Sequence, residues 1–238
     1  SGGIGQATAR LLASRGLNVA IHYFSNSAVA DSLVSELTSP ANTALAHGPV
    51  KSIAFKADLG DMDQVRKMYE EVVEKMGHID VLYNNAAMSG KNLGIKGRIG
   101  DIGLEEFETV WRTNVQASFL VSLILPLTQL CIPHMEEQKF GRIVFCSSIA
   151  AATGGVVSPA YASSKSALHG IMHWVAKQYI KCGINLIPMG RFGMPEEIAA
   201  VVELLISNSY MTNKVHFTDS LVRPFVLLTR LWTCIALD

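Results

Sequence analysis

An α/β fold built around a parallel sheet is predicted for this 238-residue chain by three observations. Helix-patterned and strand-patterned segments alternate along its length, a glycine cluster opens the first helix, and short β-rich runs separate the helices. With 49% hydrophobic and 17% charged residues, the chain has the composition of one compact domain with its own core.

The elements follow in order. Ala9, Leu11, Leu12 and Ala13 mark a first helix ending near Gly16, and NVAIHYF reads as a short strand. DSLVSEL is helical, SIAFKADL a strand, DMDQVRKMYEEVVEKMG a helix with Asp61 as N-cap, and IDVLYNNAA a strand. LEEFETVWRTNVQASFLVSLILPLTQLCIPHM reads as a long helix interrupted at Pro126 and closing near Pro133, because proline removes a helix donor and crowds the preceding turn. GRIVFCSS is a strand, and PAYASSKSALHGIMHWVAKQYIK is a helix with a proline near its start. CGINLIP is the weakest strand, and PEEIAAVVELLIS is the last helix.

Charge and cysteines narrow the class. Lys and Arg together number 20, as do Asp and Glu, so no net field draws the chain to nucleic acid or an anionic membrane. Cys131, Cys146, Cys182 and Cys234 show no CxxC spacing and no signal peptide precedes them, so reduced thiols and a cytoplasmic location are expected. The longest apolar stretches, ASFLVSLILPL and FVLLTRLWTCIAL, fall short of the roughly 20 residues that span a bilayer, and the second carries Arg230. Partners are expected to be small molecules or other subunits, with no nucleic acid and no membrane.

Four short motifs carry candidate chemistry. GGIG places Gly2, Gly3 and Gly5 at a helix start, where backbone can approach a pyrophosphate that the helix dipole favours; an ordinary glycine-rich turn is the alternative. In AYASSK, Tyr161 and Lys165 stand four apart on one helix face, and an ammonium beside a phenol favours phenolate. The alternative is a plain exposed pair. Ser148 ends a strand 13 positions before Tyr161, at the kind of sheet edge where α/β proteins bind ligands; strand-end capping is its alternative, and Ser147 is set aside on register. Asn114, in TNV, is intrinsically poor inside a helix and has either a specific hydrogen-bonding task or a solvent-facing position. His169 and His173 have a spacing that could bind metal, but no third ligand accompanies them and none is expected.

GGIG, NNAA, TNV, SS and YASSK occur in this order across alternating strands and helices. The constellation resembles the short-chain dehydrogenase/reductase family, in particular its 3-oxoacyl-acyl-carrier-protein reductase-like members, from residue 1 to about Lys214. The resemblance implies a Rossmann-like doubly wound parallel sheet with helices on both faces. It implies Tyr161 as catalytic acid/base, Lys165 lowering its pKa and binding the nicotinamide ribose, Ser148 polarising the substrate carbonyl, and Asn114 holding a water in the proton relay. Gly3, Ile4 and Gly5 would line the pyrophosphate, Asp58 would contact adenine, and Asn84 and Ala86, in a segment resembling NNAG, would steady the sheet beside the adenine ribose. The implied reaction is hydride transfer between a nicotinamide and a carbonyl or alcohol carbon, with reduction the favoured direction. An acidic residue after the second strand would select NAD by binding the ribose 2'-hydroxyl, but IHYFSNS has none, and Ser25, Asn26 and Ser27 could donate to a 2'-phosphate, so NADP is expected over NAD. In this family the helices of Asn114 and Tyr161 pair between subunits, which implies a homodimer or homotetramer.

The sequence departs from the family pattern at four places. The hydrophobic strand and first residues of the family's TGxxxGxG are not present, so a sheet lacking its first strand is expected. LILPLT reads as an insertion between Asn114 and Ser148, CGINLI passes directly to PMGRFGMPEEIA without a substrate-binding segment, and HFTDSLVRPFVLLTRLWTCIALD resembles nothing in the family. Residues 1–213 are therefore expected to form a single, incomplete dinucleotide-binding and catalytic domain, and 214–238 an atypical apolar tail. The alternative to an active reductase is a catalytically inactive dinucleotide-fold protein, from a truncated or mis-assembled gene product.

Overall fold

A computed structural model of the chain describes residues 3–39, 49–119, 131–179, 186–190, 195–207, 216–217 and 235–236. Helix α1 spans Gly3–Ser14. It is followed by β1 (Val19–Tyr23), α2 (Ser27–Leu37), β2 (Ser52–Lys56), α3 (Met62–Met76) and β3 (Val81–Asn84). Asn26 caps α2 by accepting from Val29 N at 3.2 Å, and Asp61 caps α3 by accepting from Asp63 N at 3.0 Å and Gln64 N at 3.2 Å. Gly77, at φ +88°, ends α3 in a conformation that a side chain would strain.

The next helical stretch differs from the single interrupted helix expected. Helix α4 covers Leu104–Trp111, a π-helical turn covers Arg112–Gln116, and α-helix resumes over 117–119. Pro126 and LILPLT lie outside the described residues. Pro133 belongs to the first turn of a new helix, α5 (Ile132–Glu137), rather than the end of an old one, because a first-turn residue has no intrahelical partner for its missing N–H. Then come β4 (Arg142–Cys146), α6 (Ala150–Thr153), α7 (Pro159–Tyr179), β5 (Leu186–Gly190), α8 (Pro195–Ser207), β6 (His216–Phe217) and β7 (Ile235–Ala236).

The strands form one sheet in the order β2-β1-β7-β3-β4-β5-β6, with every pairing parallel. Helices cover both faces, and strand alternation assigns side chains to each. Tyr83 and Val144 pack with Leu12, Leu33 and Val202 of α1, α2 and α8. Their neighbours Leu82, Ile143 and Phe145 pack with Met135, Leu168 and Met172 of α5 and α7.

The described residues begin with α1, and the sequence expectation is a sheet without its first strand. The place between β1 and β3 is not vacant, however: β7 enters it, with Ile235 beside Ile21 and Tyr83, and Ala236 beside His22. Two pieces of 214–238 thus belong to the sheet, because backbone groups in its interior need partners whatever part of the chain supplies them. A cleft of about 390 Å³ opens between the first residues of β1 and β3, lined by Val19, Ala20 and Val81. Among the described residues, no helix is long and apolar enough to cross a membrane.

Candidate active site

The carboxyl ends of β1 to β4 gather the candidate residues. Helix α7 starts with Pro159, whose ring fits a first-turn position, and the Ser158 hydroxyl accepts from Tyr161 N at 3.1 Å. This start puts Tyr161 and Lys165 on the face that meets the end of β4. The Ser148 side chain lies close enough to the Tyr161 phenol to pull its pKa down. Ser148 in turn begins the next turn of chain, its hydroxyl accepting from Ala150 N at 3.2 Å. Lys165 is buried, and its Nζ donates to Cys146 O at 2.7 Å.

The phenol is not shifted as its lysine neighbour predicts. Burial pushes the Tyr161 pKa up, the nearby Ser148 hydroxyl opposes this, and the Cys146 thiol adds to the rise. Lys165 Nζ lies 5.8 Å from the Tyr161 ring centroid and is directed to the Cys146 carbonyl, so desolvation outweighs it. In this structure Tyr161 is a protonated phenol near neutral pH, the form that can give a proton.

Asn114 lies in the π-helical turn and is 1% exposed, which excludes the solvent-facing alternative. Its Oδ1 accepts from Met88 N at 2.7 Å, and its Nδ2 donates to Met88 O and Ser164 Oγ, both at 2.9 Å. The side chain thus joins the loop after β3 to α7. That loop comes close: at Gly90, φ +65°, an added Cβ would stand 2.8 Å from Val110.

The expected cofactor-contacting residues line the same end of the sheet. Gly3, Ile4 and Gly5 form the start of α1, where Thr8 Oγ1 donates back to Ile4 O at 2.8 Å. Ser25 is exposed after β1, while the Asn26 carbonyl oxygen serves as the α2 cap. Asp58 follows β2 and accepts from Gly60 N at 2.8 Å. Asn84 ends β3, with Nδ2 3.5 Å from Val144 O, and Ala86 is buried just beyond it.

Two features escaped the sequence. Lys56 is the direct neighbour of Tyr23 in the β1–β2 ladder, which brings an exposed cation to the end of β1. Phe55 lines the α3 side with Tyr69 and Val72, so alternation turns Lys56 to the α2 side. Only the strand pairing reveals this, since 32 intervening residues separate Tyr23 from Lys56. The second feature is His169, whose Nε2 is 2.8 Å from Ser147 Oγ. Among the described residues, no group of three or more His, Cys, Asp or Glu side chains converges as a metal site.

A parallel sheet with helices on both faces and a Ser–Tyr–Lys cluster at its carboxyl edge defines a class of nucleotide-dependent oxidoreductase. A family model described as short chain dehydrogenase matches residues 1–190, and the chain belongs to that family. It is 31% identical over 243 residues to a 3-oxoacyl-[acyl-carrier-protein] reductase of Thermotoga maritima, covering 90% of each chain. It is 31% identical over 251 residues to an L-rhamnose 1-dehydrogenase (NADP(+)) of Thermoplasma acidophilum, covering 92% of this chain and 91% of the relative. The crystal structure of a metagenomic short-chain oxidoreductase in complex with NADP superposes with a TM-score of 0.70 at 25% identity, over 85% of this chain and 84% of that one.

Proposed function

We propose that this chain is an NADP(H)-dependent carbonyl reductase in which Tyr161 is the proton donor. The observation that carries the reading is the gathering of Ser148, Tyr161 and Lys165 at the end of β4, with Ser148 beside the phenol and the buried Lys165 Nζ donating to Cys146 O at 2.7 Å. A carbonyl oxygen placed between the two hydroxyls would receive one hydrogen bond from Ser148 and the proton from Tyr161.

The cofactor fits what the residues offer. The first turns of α1 and α2 contain no acidic side chain to repel phosphate, and the glycines at the start of α1 leave backbone accessible. Gly3, Ile4 and Gly5 would hold the pyrophosphate, Asp58, Asn84 and Ala86 the adenosine half, and Tyr161 and Lys165 the nicotinamide ribose. Ser25 and Lys56 would receive a 2'-phosphate; the NADP named for one relative and one solved neighbour supports this choice. The bound nicotinamide would supply the hydride. Tyr161 then delivers the proton that turns the alkoxide into an alcohol, and Asn114 holds the π-helical turn against α7 so that the proton path to Lys165 keeps its shape. Residues 1–213 make up the catalytic domain in this reading together with strands β6 and β7 from the rest of the chain, and the exposed apolar surface of α4 and α7 pairs with a second copy.

Fluorescence titration with NADPH, followed by its oxidation with a small β-keto ester, tests the proposal. Tyr161→Phe should still bind NADPH and lose at least about 100-fold in turnover. Wild-type binding without turnover, or an active Tyr161→Phe chain, sinks it.

A further inference from the structure

Three consecutive residues at the end of β4 each hold one residue of α7, and the residues they hold stand four apart. Ser148 lies beside the Tyr161 phenol, the Cys146 carbonyl accepts from Lys165 at 2.7 Å, and Ser147 Oγ lies 2.8 Å from His169 Nε2. Positions four apart drift only about 40° around a helix, so Tyr161, Lys165 and His169 form one stripe. Two of these contacts belong to the reaction proposed above; the third is farther along the helix and has no part in it.

Ser147 is 6% exposed, and its hydroxyl also donates to the Lys165 carbonyl at 3.2 Å. That carbonyl already accepts the backbone N–H one turn on, so Ser147 takes its second lone pair. A serine has a single hydroxyl proton. With that proton on Lys165 O, the His169 contact requires a proton on Nε2. Burial, and then the charge of His173, lower the His169 pKa, so its neutral ring has one proton to place. A proton on Nε2 satisfies both contacts at once: Nε2 donates to Ser147 Oγ, and Ser147 Oγ donates to Lys165 O.

We propose that His169 is a positioning residue: by donating to Ser147 it holds that hydroxyl on the Lys165 carbonyl, and so fixes the register of α7 on β4 that keeps Tyr161 on Ser148. The inference rests on the reading of Tyr161 as the proton donor. It also divides between two adjacent serines the work done on α7: Ser148 stands beside the reacting phenol, and Ser147 holds the backbone of the helix that carries it.

The experiment has a readout that does not need turnover. The phenolate transition of Tyr161 is followed as the absorbance difference between each chain and its Tyr161→Phe counterpart, with Ser148, Lys165 and the Cys146 thiol as its surroundings throughout. In His169→Leu and in Ser147→Ala the Ser148 contact loosens, and the proton affinity of Tyr161 rises about threefold or more. His169→Gln, which keeps a donor, returns the transition to its wild-type place. In NADPH oxidation, kcat falls about tenfold in either variant while KM for NADPH holds, and the double variant is no worse than either single. Should His169→Leu fail to fold, Ser147→Ala, which removes one hydroxyl, decides alone. A phenolate transition unmoved in Ser147→Ala overturns the positioning role. A wild-type chain that binds NADPH and reduces no carbonyl overturns the reductase reading instead, and the phenol titration still judges His169.

Discussion

Asn114 Nδ2 lies 2.9 Å from Ser164 Oγ, and Ser164 Oγ in turn donates to the Tyr161 carbonyl at 2.7 Å. A residue of the π-helical turn is thereby joined through one hydroxyl to the backbone of the proposed proton donor. Replacing it with Leu, close in size, takes the side-chain partner from both the N–H and the C=O of Met88 and one of two bonds from the Ser164 hydroxyl, and leaves an apolar group facing all three. Asn114→Leu should destabilise the fold by about 3 kcal/mol. For a chain of this length that lowers the midpoint of thermal unfolding by roughly 6–12 °C. Calorimetry checks it, and a loss under about 1 kcal/mol would mean that these groups re-pair.

Lys56 stands beside Tyr23 where a 2'-phosphate is proposed to bind. Lys56→Glu replaces an attraction with a repulsion and should weaken NADPH binding by about 10- to 100-fold while leaving NADH within a few-fold. Parallel titrations with the two cofactors measure the ratio. An unchanged ratio removes Lys56 from cofactor selection.

Arg10 on α1 grips Glu36 on α2 through two bonds, of 2.7 and 2.8 Å. The hydrogen bond to Arg10 holds the Glu36 carboxyl below its usual value of 4.5. A depressed folded-state pKa stabilises the fold above the unfolded value and ceases to do so as pH falls through the folded one. Both side chains are nearly half exposed, so the contribution is at most about 1 kcal/mol and shrinks in salt. Arg10→Met should therefore be slightly less stable than wild type at neutral pH, and the gap should close as the solution is acidified below about pH 4. Urea titrations across that range follow it; a gap that widens in acid reverses the assignment.

Trp174 is 69% exposed and Phe119 42%, and Phe107, Trp111 and Ile171 line a groove between α4 and α7. If this surface pairs with a second copy, sedimentation should show a dimer or tetramer, and Trp174→Glu combined with Phe119→Glu should yield monomers with an intact fold. A monomeric wild type rejects the pairing.

Much of the architecture is legible in the sequence because each helix and strand has its own local pattern: Asp61 announces α3, and the β-branched run ending in Ser147 and Ser148 announces β4. The Ser148–Tyr161 contact is legible too, since a strand end and a helix start 13 positions apart can meet in few ways. What escapes is whatever depends on pairing between distant segments. Lys56 gains meaning only once β2 is aligned with β1, and His169 only once α7 is laid on β4. A five-residue π turn at Asn114 leaves the same apolar spacing as an α-helix. Pro133 can end a helix or begin one, and the sequence pattern alone favours neither. Ile235–Ala236 is too short to show alternation, so nothing local marks it as a strand.

That two-residue strand bears on how the protein folds. Its partners Ile21 and Tyr83 are synthesised far earlier, with Ile21 more than about 200 residues upstream, so the centre of the sheet closes through contacts of very high sequence separation. A nascent chain still holding Ile235 in the ribosome presents the facing edges of β1 and β3 unpaired, each an open template for another strand. For this protein, the interval between making Tyr83 and making Ile235 is the period of greatest exposure to aggregation, and chaperone demand should concentrate there.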